Sequence, residues 1–199
     1  QDKDIIAFIW SILITIVAGG AFRLMGRHAN NTISRRDAYF VVAVTWIIFS
    51  LFGTLPFLIS GHITSFTNAF FETMSGFTTT GASIVDFPEH FPKGLLFWRS
   101  LTQWIGGLGI VFFTIAILPS LVGGSLKVFA AEATGPIKSK LHPRLSMGAK
   151  WIWMVYFVLT AACVVSYKVC GMNWFDAFNY AMTSTATGGF STESASIAT

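Results

Sequence analysis

Charge is scarce in this sequence, and its scarcity excludes the commonest classes. Lys, Arg, Asp and Glu make up 11% of the 199 residues, against 53% hydrophobic, where a soluble domain carries about 25% charged residues. Most of the surface is therefore expected to lie in lipid. Basic residues outnumber acidic ones by only 13 to 9, too few and too scattered for nucleic-acid binding. Cysteine is nearly absent. Cys163 and Cys170 share one apolar run, about 10 Å apart along a helix axis, beyond disulfide reach, and read as packing residues. His28, His62, His90 and His142 fall at unrelated spacings in loops and form no metal-binding pattern. No cleavable signal sequence is recognisable, because the first apolar run is too long and its flank too acidic. The apolar runs also lack a nucleophile–base pair or paired acids, which excludes an intramembrane enzyme.

What the sequence has instead is long uncharged runs. Ile5 to Phe22 gives 18 residues and Ala38 to Ile59 gives 22, each enough for a transmembrane helix. Pro56 and then Gly61 punctuate the exit of the second. A third span is expected from Gly94 to Leu118 and a fourth from Trp151 to Val169. Glycines in Trp104-Ile105-Gly106-Gly107-Leu108-Gly109 suggest a bend or close helix packing. Without a preceding strand they make no nucleotide fingerprint. Trp98, Trp151 and Trp174 suit a membrane interface. The Arg23–Asp37 loop carries four basic residues and Ser120–Lys150 carries five, which places both loops in the cytoplasm by the positive-inside rule.

Between the spans lies a duplicated motif. Asn68 to Ser83 aligns without gaps on Asp176 to Ser191, an offset of 108 residues. Ala69/Ala177, Phe70/Phe178, Met74/Met182, Thr79/Thr187, Gly81/Gly189 and Ser83/Ser191 are identical. Each copy predicts a short helix, too short to span, followed by an extended Thr- and Gly-containing piece. Irregular backbone at membrane depth survives only where it lines a protein cavity or water, and its carbonyls can replace the hydration shell of a cation. Both copies therefore read as re-entrant pore loops opening to the outside face. A helix dipole contributes about 0.3–1 kcal/mol, while moving a bare ion into low dielectric costs tens of kcal/mol, so rings of carbonyls must supply most of the offset. Two loops cannot close such a ring and four can. The segments contain no acidic ring, which favours a monovalent ion over Ca²⁺. Glu72 reads as a pore-helix residue bonded to nearby backbone rather than a cation site, and its counterpart is Tyr180. Arg99 reads equally as a partner of Asp86 or Glu89 or as a snorkelling side chain.

Phe70-Phe71-Glu72 through Thr78-Thr79-Thr80-Gly81-Ala82, then Trp104 to Ile110, Ala116-Ile117-Leu118-Pro119 and Thr187-Gly188-Gly189-Phe190-Ser191-Thr192 together resemble the membrane subunit of bacterial Trk potassium-uptake systems. This is the TrkH branch of the Trk/Ktr/HKT superfamily. The resemblance covers nearly the whole chain from Arg35 onward. It implies an all-α integral membrane fold of helix–pore loop–helix repeats, with about four spans and two re-entrant loops here. Residues 1–34 would be a preceding helix and cytoplasmic loop, 35–122 the first repeat, and 123–199 a cytoplasmic linker with a second repeat truncated after its pore loop. It implies uptake of K⁺ across the bacterial inner membrane, with no organic cofactor. Backbone carbonyls of Thr78, Thr79, Thr80, Gly81, Ala186, Thr187, Gly188 and Gly189 would hold the ion. The implied partners are a cytosolic nucleotide-binding ring of TrkA type, two further repeats of the same protein, a second copy in a homodimer, and the bilayer. A Na⁺/K⁺ transporter of the same superfamily and an assembly domain without transport are the alternatives. The start at Gln1-Asp2-Lys3-Asp4 and the stop after the second loop read as a fragment of a longer protein. The family's third and fourth repeats are absent from it, and with them the gating loop and its cationic residue.

Overall fold

A chain crossing hydrocarbon must satisfy its backbone N–H and C=O groups within itself, and among the described residues the apolar stretches long enough to span are helical. The computed structural model describes residues 2–28, 35–109 and 142–195, and no strand occurs among them. The elements are α1 (Asp2–Met25), α2 (Arg35–Gly53), α3 (Leu55–Ser60), α4 (Phe66–Phe77), α5 (residues 93–109), α6 (His142–Val169) and α7 (Trp174–Thr185). Among the described residues, three stretches, Asp4–Met25, Phe40–Ser60 and Lys150–Val169, are long and apolar enough to cross a membrane. Their apolar side chains point mostly outward: Ile9, Val17, Phe49, Trp153 and Phe157 are all exposed, an arrangement made favourable by lipid or by further protein packed on them. The expected third span, 94–118, is helical through residue 109. Its remainder lies outside the described residues, as does most of the basic Ser120–Lys150 loop.

Pro56 has no N–H to continue the helical ladder, and α2 gives way to α3 at Thr54 just before it. Gly61 then ends α3 in the left-handed region, at φ 77°, as the sequence leads one to expect. The short helices pack on the long ones: α3 on α1, α4 on α2, and α7 on α6. Phe57, Ile63, Ala69 and Leu95 form the buried cluster at one end, with Phe8, Val85, Phe91 and Trp98 against it. Trp98 is half-buried against this cluster. Its ring lies edge-on to Phe8 and its Nε1 donates to the Gly53 carbonyl at 3.0 Å. Trp151 and Trp174 do stay exposed. Cys163 and Cys170 are both free, and Cys170 is exposed just past the end of α6, so it is not a packing residue.

Candidate functional site

The two copies of the motif build the same local structure. α4 starts from Ser65, whose side chain accepts from the Asn68 N–H, and α7 starts from Asn173, whose side chain accepts from the Asp176 N–H. Such caps satisfy an otherwise orphaned donor of the first turn. Both helices are 12 residues long, about 18 Å, well short of a bilayer's hydrocarbon thickness. At their C-termini the chain folds back identically. The N–H groups of Thr78, Thr79 and Thr80 donate to Met74, Gly76 and Ser75 carbonyls, and those of Ala186, Thr187 and Gly188 donate to Met182, Ser184 and Thr183, all at 2.9–3.1 Å. Thr79 and Thr187 take φ of 55° and 57°, and Gly81 and Gly189 take 76° and 83°. Positive φ at a β-branched residue is a genuine outlier, and it occurs at both matched positions. Among the described residues, the carbonyls of 78–81 and 186–189 accept no hydrogen bond. The Thr78 hydroxyl turns back to the Met74 carbonyl at 2.7 Å and meets the Thr80 hydroxyl at 2.8 Å.

α5 seats both segments. A helix repeats its face every three to four residues, and two neighbouring faces of α5 do different work. Thr102 and Gly106 meet the end of α4: a Cβ built on Gly106 would overlap the Phe77 carbonyl, and one on Gly76 would overlap the Thr102 hydroxyl. Arg99, Gln103 and Gly107 meet the second segment. Gln103 is fully buried and accepts from the Phe190 N–H at 3.1 Å, while a Cβ on Gly107 would crowd Ala186 at 3.1 Å. The glycines thus serve close packing, with Gly106 against the α4 end and Gly107 against Ala186. The segments touch each other at Gly81, where a Cβ would overlap the Gly188 carbonyl oxygen.

Glu72 and Arg99 lie behind the segments, 1% and 2% exposed. Arg99 Nε donates to Glu72 Oε1 at 2.8 Å. Glu72 Oε2 accepts from the Ile84 N–H at 2.9 Å, so the expected backbone role of Glu72 holds. Neither expectation for Arg99 holds: it is buried instead of snorkelling, and its acidic partner is Glu72, not Asp86 or Glu89. Instead Glu89 binds Ser194, through the hydroxyl at 2.7 Å and the N–H at 3.1 Å. These hydrogen bonds hold the exposed Glu89 carboxyl below its usual range. Thr192 ties the second segment back to its own helix, donating to Asp176 at 2.7 Å.

Comparison with known proteins places this architecture. A family profile described as TrkH, cation transport protein, matches residues 4–199. The chain belongs to the TrkH family. The Trk system potassium uptake protein TrkH of Halomonas elongata is 42% identical over 193 residues, and that of Escherichia coli K12 is 36% identical over 193 residues. Each alignment takes in 96% of this chain and 40% of the relative. The crystal structure of the potassium transporter TrkH from Vibrio parahaemolyticus matches at TM-score 0.82 and 34% identity, covering 99% of this chain and 39% of that one. The chain thus spans about 40% of the length of these relatives. Membership in a cation transport family, together with three apolar stretches long enough to span, makes it an integral membrane protein. The family is one of transporters, not enzymes.

Within this TrkH-family chain, all eight residues expected to hold an ion fall on the two matched segments. Gln103 and the Arg99 contacts were not foreseen, although a lone Arg in an apolar run was a visible signal. Of the histidines with described side chains, His62 and His90 line one cavity of about 400 Å³ with Asn68, Asp86 and Phe91. Among the described residues no cluster has the ligands for a metal.

Proposed function

We propose that this chain supplies two of four pore loops through which a bacterium takes up K⁺ across its inner membrane. Carbonyls of Thr78, Thr79, Thr80 and Gly81, and of Ala186, Thr187, Gly188 and Gly189, replace the water around the ion. The observation that carries this reading is the matched pair of segments. In each, the first three N–H groups are consumed by the preceding helix, and among the described residues the carbonyls accept no hydrogen bond. The φ sign also alternates, positive at 79 and 81 and at 187 and 189 but not between. An ordinary strand turns successive residues to opposite sides; alternating handedness turns successive peptide planes toward the same side, which suits a column of carbonyls. The names of the relatives, potassium uptake proteins, support the choice of ion.

In this reading 35–122 is the first helix–loop–helix unit, and 123–199 is a linker with the second unit up to its loop. Residues 1–34 precede them. The basic loops face the cytoplasm, where a nucleotide-binding ring of TrkA type docks. Further units of the parent protein complete the ring of carbonyls, and the parent is a homodimer. Each 100 mV of membrane potential favours K⁺ entry by about 2.3 kcal/mol per charge. The test is uptake of radioactive rubidium into liposomes holding the intact protein, with sodium as competitor. Saturable rubidium uptake that excess sodium fails to block is expected. Equal uptake of both ions, or none, overturns the reading.

A further inference from the structure

We propose that Glu72 and Arg99 are positioning residues for cation selectivity: their buried ion pair braces the exits of both carbonyl-bearing segments, so that the second unit's segment is held by the first unit's arginine. The proposal rests on the filter reading above.

A buried ion pair is a poor way to hold helices together, because desolvation consumes most of the attraction and apolar residues of similar volume do as well. What it adds is direction. The guanidinium is a planar fork with donors fixed in space, and here each nitrogen addresses a different element. Nε bonds Glu72 of α4 at 2.8 Å, Nη2 bonds the Ser83 hydroxyl at 2.9 Å, and Nη1 bonds the Ser191 carbonyl at 3.1 Å. Ser83 closes the first corner by donating to Glu72 Oε1 at 2.9 Å, beside the Ile84 N–H on Oε2. The guanidinium also lies 4.5 Å from the centre of the Phe190 ring. Ser83 and Ser191 are matched residues, each two positions past the glycine of its segment. One arginine therefore grips the matched serine of both copies, by its hydroxyl in the first and its backbone carbonyl in the second.

The two units are not braced equally. The residue matching Glu72 is Tyr180, whose buried hydroxyl has no hydrogen bond among the described residues. At this point the second segment leans on α5 instead, through Arg99 and, one turn later on the same face, Gln103 on the Phe190 N–H. A shift of Arg99 would move the second segment relative to the first just where Gly81 and Gly188 touch.

Rubidium and sodium uptake by the intact protein in liposomes, for wild type, Arg99→Lys and Ser83→Ala, tests this. Lysine keeps the charge beside Glu72 but cannot reach three acceptors in fixed directions. Arg99→Lys is expected to insert normally and to lower the rubidium-to-sodium ratio about tenfold or more, as small displacements of an organised site do. Ser83→Ala, which removes one hydroxyl from the corner, should lower the ratio about fivefold, the equivalent of one net hydrogen bond. A merely structural pair would reduce both fluxes in proportion and leave the ratio unchanged; that result for Arg99→Lys overturns the proposal. If Arg99→Lys fails to insert, Ser83→Ala decides, and a wild-type ratio there overturns it. Failure of the filter reading looks different: the wild type itself would not distinguish the two ions, and the proposal would fall with it.

Discussion

Thr79 and Thr187 hold a backbone conformation that threonine avoids, at φ 55° and 57°, and each such residue costs about 1–3 kcal/mol. The cost recurs at matched positions because the helix C-terminus consumes the N–H groups and the chain must turn sharply to leave the carbonyls free. The two glycines that follow share a positive φ but not the same surroundings. Gly189 has no atom within 4 Å of a built Cβ, whereas a Cβ on Gly81 overlaps the Gly188 carbonyl. Gly189→Ala should therefore cost only the left-handed strain, about 1–2 kcal/mol. Gly81→Ala adds displacement of a carbonyl proposed to hold the ion. We predict that Gly81→Ala lowers the rubidium-to-sodium ratio markedly more than Gly189→Ala, in paired liposome fluxes. Equal effects would show that contact between the segments does not matter. Glu72 was legible at this scale, because an acid on a short helix must find nearby donors; the partner of Arg99 was not.

Among the elements, α5 decides how the rest sit. Its glycines read as bend or packing from the sequence, since both need a missing side chain. The structure shows close packing, with Gly106 against the α4 C-terminus and Gly107 against Ala186. Gly106→Ala should push α4 away and destabilise the protein by about 1–3 kcal/mol, the usual range for overpacking. Gly19 of α1 has open space around it, so Gly19→Ala should be neutral or stabilising by up to about 1 kcal/mol through helix propensity. Thermal melts of the detergent-solubilised protein check the pair, with a lower midpoint expected for Gly106→Ala alone. A wild-type midpoint for Gly106→Ala would mean that α5 does not seat α4.

For the whole molecule, the basic loops and the loop preceding α4 are expected on opposite sides of the membrane. Single cysteines at Ser65 and Ser139, in a background with Cys163 and Cys170 replaced, test this with an impermeant thiol reagent applied from outside. Position 65 should react and position 139 should not; the reverse would invert the topology. Cys170 must be replaced because it is exposed. The spans over 5–22, 38–59 and 151–169 were legible because a run of apolar residues is a local property that needs no partner. Duplication was legible for the same reason: residue-by-residue identity at a fixed offset survives without knowledge of the fold.

Hydropathy, the repeat and the placement of Gly and Pro are written along the chain, and from them follow helices in a membrane and two matched short helices, each leading into a Thr- and Gly-containing segment; the eight residues named in those segments came from the family resemblance. Tertiary structure alone decided what joins the two units. Arg99 meets Glu72 across 27 residues and Ser191 across 92, and Gly81 touches Gly188. Such contacts depend on how α5 lies between α4 and α7. No local pattern carries that information, because a charged fork finds its acceptors only after packing has brought them within about 3 Å.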